Sequence, residues 1–314
     1  MLGVSGIFSD LDVAVTLDAP LGPLTWYGVG GRADVLLRPR TVEALATLVK
    51  RCRRSRTPLR VLGSGANLLV ADEGVDGVVV RLDTPAFTSQ EFMDVGGQPV
   101  LRVGAGADMA KVLMECTRRG LGGLSQMAGI PASVGGAVRM NAGGAFGAVG
   151  DAVRAVTTMT RSGDVHVIPA SDITFGYRTT SIADPIILSV EFNLTPEDPI
   201  ALRDRVKEIF AYKKSTQPLA AHSAGCAFKN PVDPETEKVV SAGKLIDEAG
   251  LKGLSVGGAT VSTHHANFIT VAPGAKAEEV LRLMDLIRAR VYERHGIELQ
   301  TEVVVWRRGE RERE

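Results

Sequence analysis

The chain has 314 residues, 45% apolar and 23% charged, enough to bury sizeable cores in two or three compact domains. Lys plus Arg and Asp plus Glu stand at 36 each, so the chain lacks the basic excess with which proteins displace counterions from nucleic acid. The three cysteines, Cys52, Cys116 and Cys226, are odd in number and far apart, which argues against a disulfide framework and for a reducing compartment. No basic-then-apolar leader opens the chain and no window is apolar enough to span a bilayer. The expectation is a cytosolic protein with no membrane, nucleic-acid or obligate protein partner.

Val35-Leu36-Leu37 reads as a strand, and Val42, Leu45, Leu48, Val49 and Cys52 fall at helical spacing over Thr41 to Arg54. The basic run Arg51 to Arg56 ends that helix, where it complements the helix dipole. Leu59 to Leu62 is a short strand that empties into Gly63-Ser64-Gly65-Ala66-Asn67-Leu68, and Val78 to Val80 is another. Asp108 caps a helix through Arg119 with Gly120 as its stop. Ala128 to Gly144 is too rich in glycine for a stable helix interior, and short strands follow up to Phe192. The polar, Pro-rich stretch Thr195 to Pro199 marks a boundary. Beyond it come a helix to about Lys214, an amphipathic helix over Ala277 to Arg294 and a closing strand over Ile297 to Trp306. The divisions expected are 1–82, 83–197 and 198–314. The final Arg-Arg-Gly-Glu-Arg-Glu-Arg-Glu reads as a solvated tail.

The Gly63 to Leu68 loop follows a strand as a dinucleotide fingerprint would, yet a third glycine and a long following helix are both missing. That disfavours an NAD-dependent Rossmann dehydrogenase. The loop is either a tight turn or a backbone nest for phosphate. The second glycine-rich stretch, Gly129 to Gly144, suits a backbone lying close against an extended ligand. Together the two favour a large phosphate-bearing cofactor. His264 and His265 have no further ligand at a recognisable spacing, so no metal site is expected.

Gly63 to Asn67 and Ala128-Gly-Ile-Pro-Ala-Ser-Val-Gly-Gly-Ala-Val-Arg-Met-Asn141 resemble the FAD-binding signatures of the UDP-N-acetylenolpyruvoylglucosamine reductase (UDP-N-acetylmuramate dehydrogenase) family. Phe175 to Arg178, Gly225 to Pro231, Ala242 to Gly253, His265 to Phe268 and Gly296 to Val303 continue the resemblance in family order, over nearly the whole chain. The short interval between Arg178 and Cys226 is similar to the subtype lacking the tyrosine-bearing substrate loop. The resemblance implies an α+β fold, with a two-part FAD-binding domain of the vanillyl-alcohol-oxidase type and an α/β substrate-binding domain. It also implies NADPH as reductant and UDP-N-acetylglucosamine enolpyruvate as substrate. The cofactor would lie along Gly63, Ser64, Gly65, Ala66, Asn67, Leu68, Gly129, Ile130, Pro131, Ser133, Gly135, Gly136, Asn141 and Gly143. All five histidines lie at or after His166, so the glycine-rich N-terminal half offers none for flavin attachment and the FAD is expected to be noncovalent.

Adding hydride to the methylene of a vinyl ether builds negative charge on the adjacent carbon and its carboxylate, and that carbon must then be protonated. The resemblance implies that Arg178 holds the carboxylate with its forked guanidinium, that Glu302 stabilises the enol intermediate and that Cys226 gives the proton. Many members have serine where Cys226 stands. A thiol, with an ordinary pKa near ~8.5, is mostly protonated at neutral pH and donates readily. A carboxylate beside the substrate carboxylate is repulsive, so Glu302 is expected to be protonated or to share a proton in the working state. Lys214 and Asn230 resemble positions that meet the substrate or its diphosphate, with Lys229 a weaker neighbour, and His265 to Phe268 reads as a structural corner. The alternatives are an FAD-dependent oxidase of hydroxy or sugar acids and a non-catalytic flavin- or sugar-nucleotide-binding protein.

Overall fold

A computed structural model of the protein describes residues 7–218 and 221–310; the last four residues of the charged tail, 311–314, lie outside them. Helices and strands are mixed in an α+β arrangement. Two compact units are interleaved along the chain. One comprises residues 7–18, Asp34–Ser64 and Gly77–Tyr212; the other comprises Ala19–Ala33, Gly65–Asp76 and the described part of Lys213–Glu314.

Along the chain come β1 (Val13–Pro20), β2 (Arg32–Pro39), α1 (Val42–Ser55), β3 (Leu59–Leu62), β4 (Leu68–Val70) and β5 (Val75–Arg81). Four of them form a sheet in the order β1-β2-β5-β3, with β3 parallel to β5 from Leu59 opposite Val78 to Leu62 opposite Arg81. Thr41 starts α1 by accepting from the Ala44 N–H, and Arg56 ends it in the left-handed conformation. The helix buries Leu45, Leu48, Val49 and Cys52 with Val35, Leu37, Val78 and Val80 in one core of the first unit. Arg53 and Arg54 occupy its last turn, where positive charge meets the negative end of the dipole.

A second core of this unit is built on β6 (Gln90–Val95), β7 (Gln98–Gly104), β8 (Val153–Met159), β9 (Val165–Pro169) and β10 (Ile186–Asn193). These five strands are antiparallel in the order β9-β8-β10-β7-β6. Asp108 caps α2 (Met109–Arg118) through the Lys111 N–H at 3.0 Å, and Gly120 follows at φ +67°. The glycine-rich stretch departs from the sequence expectation, because Val134–Arg139 forms a short helix, α3, across Gly135 and Gly136. Its poor intrinsic propensity is overridden by packing. A Cβ on Gly135 would stand 2.8 Å from the Ala105 methyl, the Gly135 N–H donates to the Ala105 carbonyl, and Val134, Ala137 and Val138 are buried in the core. α4 (Pro199–Thr216) adds Val206 and Ile209 to the same core.

In the second unit, α5 (Ala242–Glu248) and α6 (Ala277–His295) pack with β11 (Ser255–Val256), β12 (Ala259–Val261) and β13 (Ile269–Val271) around one core. Both carboxylate oxygens of Asp72 accept from the first N–H groups of α6, Ala277 and Glu278, each at 3.0 Å, and Gly296 ends the helix at φ +68°. The closing strand is shorter than its alternation implies: only Val304–Trp306 (β14) is regular. β14 runs parallel to β4. Residues 297–303 instead form an irregular rung, with one isolated bridge from Thr301 to Phe228. No helix among the described residues is long and apolar enough to cross a membrane.

Candidate active site

In the first unit the two glycine-rich segments converge. A Cβ on Gly63 would lie 2.5 Å from the Ser133 hydroxyl, so the chain approaches α3 there as only glycine allows. Ser133 caps α3, accepting from the Gly136 N–H at 3.3 Å. Gly129 sits at φ +72°, and Ile130 is half-buried against the core. Pro131 and Gly135 are also half-buried, and Gly143 pairs in a small hairpin with Ala148. Among the described residues, the N–H groups of Gly63, Ser64 and Gly129 donate to no protein acceptor. Half-buried backbone donors of this kind suit a phosphate-bearing cofactor, which would take up hydrogen bonds the protein leaves open.

Arg178 is the second residue of a two-residue turn between the short strands Phe175–Gly176 and Thr179–Thr180. Its φ of +55° is unusual for a side chain with a Cβ, a conformation that costs about 1–2 kcal/mol and is found where surroundings impose it. The turn is tied to Asn141, whose Nδ2 donates to the Gly176 carbonyl at 2.9 Å and whose Oδ1 accepts from Gly150 N–H at 3.1 Å. Arg178 Nη1 donates to the Gly143 carbonyl at 3.0 Å, and its guanidinium carbon stands 5.3 Å from the Tyr177 ring centre. Asn141, expected to line the cofactor, therefore has its amide engaged in holding the arginine turn.

The second unit carries Cys226, Glu302, Lys214 and Asn230, together with Gly65 to Leu68. Cys226 lies in an isolated antiparallel bridge with Phe268. The Ala227 N–H donates to the Asn267 carbonyl at 2.8 Å, while on the other side the Glu302 N–H donates to the Ala227 carbonyl at 2.9 Å. Residues 226–229 are thus held between 267–268 and 300–302, and Cys226 and Glu302, both half-buried, are brought onto neighbouring rungs. The buried amide of Asn267 completes the arrangement. Its Oδ1 accepts from Phe228 N–H at 3.0 Å and its Nδ2 donates to the Phe228 carbonyl at 2.8 Å, so one side chain does the work of a missing strand residue.

Asn67 braces the same rung: its Nδ2 donates to the Glu302 carbonyl at 3.0 Å, and its own carbonyl accepts from Val304 N–H. Gly65 sits at φ +68°, Ala66 is half-buried, and Leu68 begins β4, buried. Lys214 is exposed on the last turn of α4, whereas its neighbour Lys213 is buried. Asn230 is exposed and its Oδ1 accepts from Ala242 N–H at the start of α5; Lys229 donates its N–H to the Gln300 carbonyl. His265 accepts from Asn267 N–H through Nδ1, and burial lowers its pKa, favouring the neutral ring. No group of His, Cys, Asp and Glu able to hold a metal occurs among the described residues.

Sequence reasoning singled out the His265 to Phe268 corner without distinguishing Asn267 within it. It also passed over Tyr27, whose hydroxyl is buried without a hydrogen-bond partner among the described residues. A buried phenol inside an aromatic-containing turn leaves no mark in periodicity.

Comparison with known proteins gives two family matches: an FAD binding domain over residues 33–168, and the UDP-N-acetylenolpyruvoylglucosamine reductase C-terminal domain over residues 217–306. The chain is 40% identical to the UDP-N-acetylenolpyruvoylglucosamine reductase of Desulfosudis oleivorans, over 93% of this chain and 94% of that one. It is 44% identical to that of an Anaeromyxobacter species, over 92% and 87%. The crystal structure of the reductase from Thermus caldophilus superposes with a TM-score of 0.77 at 40% identity, covering 94% of this chain and 99% of that one.

Proposed function

The chain belongs to the UDP-N-acetylenolpyruvoylglucosamine reductase family, and on that premise we propose that Arg178, Cys226 and Glu302 carry its reaction. The protein is an FAD-dependent UDP-N-acetylmuramate dehydrogenase of the vanillyl-alcohol-oxidase type. It reduces the enolpyruvyl ether of UDP-N-acetylglucosamine with NADPH in peptidoglycan precursor synthesis. The converging glycines and open N–H groups of the first unit fit FAD, and Gly63, Ser64, Gly129 and Ser133 are the residues we assign to holding it. We propose 1–82 and 83–197 as the halves of the flavin domain, 198–314 as the substrate domain, and a cytoplasmic location.

Held by Gly63, Ser64, Gly129 and Ser133, FAD would supply, once reduced by NADPH, the hydride for the methylene carbon. Arg178, permanently charged and fixed by its turn, holds the substrate carboxylate with its forked donors. The Cys226 S–H gives its proton to the carbon that bears that carboxylate, and the bonding pair stays on sulfur. Glu302 stabilises the enol form by sharing a proton with it, the arrangement that avoids two adjacent anions. Lys214 and Asn230 are proposed to meet the sugar nucleotide, Asn230 through its Nδ2 since its Oδ1 serves α5.

The observation that carries this reading is the pairing of the Cys226 and Glu302 rungs through the hydrogen bond from Glu302 to Ala227. Anaerobic stopped-flow mixing tests it. Cys226→Ala should leave NADPH-driven bleaching of the flavin intact and slow its reoxidation by the enolpyruvyl sugar nucleotide by orders of magnitude, whereas Cys226→Ser should retain substantial activity. Near-normal reoxidation in the alanine variant removes Cys226 as donor. Oxygen consumption with sugar acids, and no NADPH oxidation with the enolpyruvyl sugar nucleotide, would instead support the oxidase alternative.

A further inference from the structure

Tyr27 is 1% exposed and belongs to the core of the second unit, together with Ala224, Ala227 and Phe228, which lie on both sides of Cys226 in sequence. The bend that holds it runs beside the same loop, since a Cβ on Gly28 would stand 3.5 Å from His222 Nδ1. Its hydroxyl makes no hydrogen bond among the described residues, although buried phenols ordinarily find a partner. Phenylalanine would fill the same space without stranding a polar atom. A hydroxyl kept there points to a partner that acquires its acceptor strength only during turnover.

We propose that Tyr27 is a positioning residue for the Cys226 thiol, its hydroxyl donating, directly or through one buried water, to the sulfur when the sulfur is charged. This rests on the reading of Cys226 as proton donor. In that step the Cys226 S–H bond breaks as a C–H bond forms at the carbon bearing the carboxylate. The electron pair left on sulfur makes a thiolate, and water returns the proton between turnovers. A half-buried thiolate needs a donor aimed at it. Burial, reinforced by charge on Cys226, raises the phenol pKa, so Tyr27 keeps its proton and serves as donor rather than competing acid. Titratable groups on the adjacent segments include His222, Lys229, His264, His265 and Glu302, with Lys252 close enough to act on His265. Of these, His265 already receives the Asn267 N–H on Nδ1 and Lys229 lies beyond Phe228 on the ribbon.

The test is the pH dependence of Cys226 alkylation by iodoacetamide in the flavin-loaded full chain, read peptide by peptide by mass spectrometry. Cys52 and Cys116 provide a silent background, because burial pushes both thiols up to about 12. Tyr27→Phe should raise the alkylation midpoint by about one pH unit, and slow labelling about tenfold below that midpoint. The alkaline limb of the substrate-reduction profile should move with it. The variant removes only a hydroxyl without a partner, so its melting temperature should not fall. An unchanged midpoint in the folded, flavin-loaded variant overturns the proposal. Alkylation needs no turnover, so a failed Cys226→Ala result would remove the donor assignment while leaving this measurement to stand or fall separately.

Discussion

Replacing Asn267 by alanine perturbs the active ribbon at a point where the cost follows from the structure. The side chain supplies both hydrogen bonds of the Phe228 backbone, at 3.0 and 2.8 Å, in a site where Asn267 is 2% exposed and Phe228 fully buried. Truncation strands one N–H and one C=O. Leaving a buried polar group unmet costs about 1–3 kcal/mol, so the pair predicts a loss of about 3 kcal/mol after partial relaxation. The bond from Ala227 N–H to the Asn267 carbonyl survives, since it uses backbone on both sides. Both tryptophans, Trp26 and Trp306, lie in this unit, so their fluorescence in urea reports its unfolding. At a slope of about 2 kcal/mol per molar, the midpoint should fall by about 1.5 M. Substrate reduction should slow as well, because Cys226 and Glu302 hang on the rungs that Asn267 fixes. A loss under about 1 kcal/mol with unaltered reduction kinetics would show that the ribbon holds without its amide, and the positional argument for Cys226 and Glu302 would fail with it.

Local signals foretold local structure. Asp108 and Gly120 mark the ends of α2 because a cap is a contact within one turn, and α1, α2 and α6 each bury the apolar stripe that their spacing spells out. The failures share a cause in distant contacts. α3 forms through Gly135 and Gly136 because Ala105 packs against it, and a propensity scale carries no knowledge of Ala105. The strand expected over 297–306 keeps alternating burial through Ile297 and Leu299. Its pairing is confined to one rung around Thr301, where Lys229 N–H donates to the Gln300 carbonyl and Glu302 N–H to the Ala227 carbonyl, so no regular ladder forms before Val304. The residues named from the family resemblance are spread over both units. Within each, what positions them is a side chain reaching across sequence: Asn141 for the Arg178 turn, Asn67 and Asn267 for the Cys226 and Glu302 rungs. An amide that replaces a strand has no period, so these three could be noticed in sequence as motif members but not assigned their task.

Two further outcomes follow from close geometry. Gly63→Ala places a methyl 2.5 Å from the Ser133 hydroxyl; purified protein should retain several-fold less flavin, while Gly144→Ala, with no atom within 4 Å of its Cβ, should retain the full complement. Equal flavin content in both would mean that the Gly63–Ser133 approach has no part in holding the cofactor. Glu279 gives a pH dependence of defined sign. The Lys276 N–H, then the Gly258 N–H, hold its carboxyl below the usual range, with its Oε2 accepting from them at 3.1 and 3.0 Å. A carboxyl whose pKa is lower in the folded state contributes stability that is complete above its unfolded value, near ~4.3, and is lost as the pH falls through the folded value. Glu279→Gln keeps one acceptor but no titrating charge. In urea unfolding followed by tryptophan fluorescence, the variant should be less stable than the parent at pH 7. The gap should close as the pH drops below about 4, because protonation then removes from the parent what the substitution removed from the variant. A gap independent of pH would mean that Glu279 acts at the start of α6 as a hydrogen-bond acceptor alone, and that its charge contributes nothing to holding Lys276 and Gly258 in place.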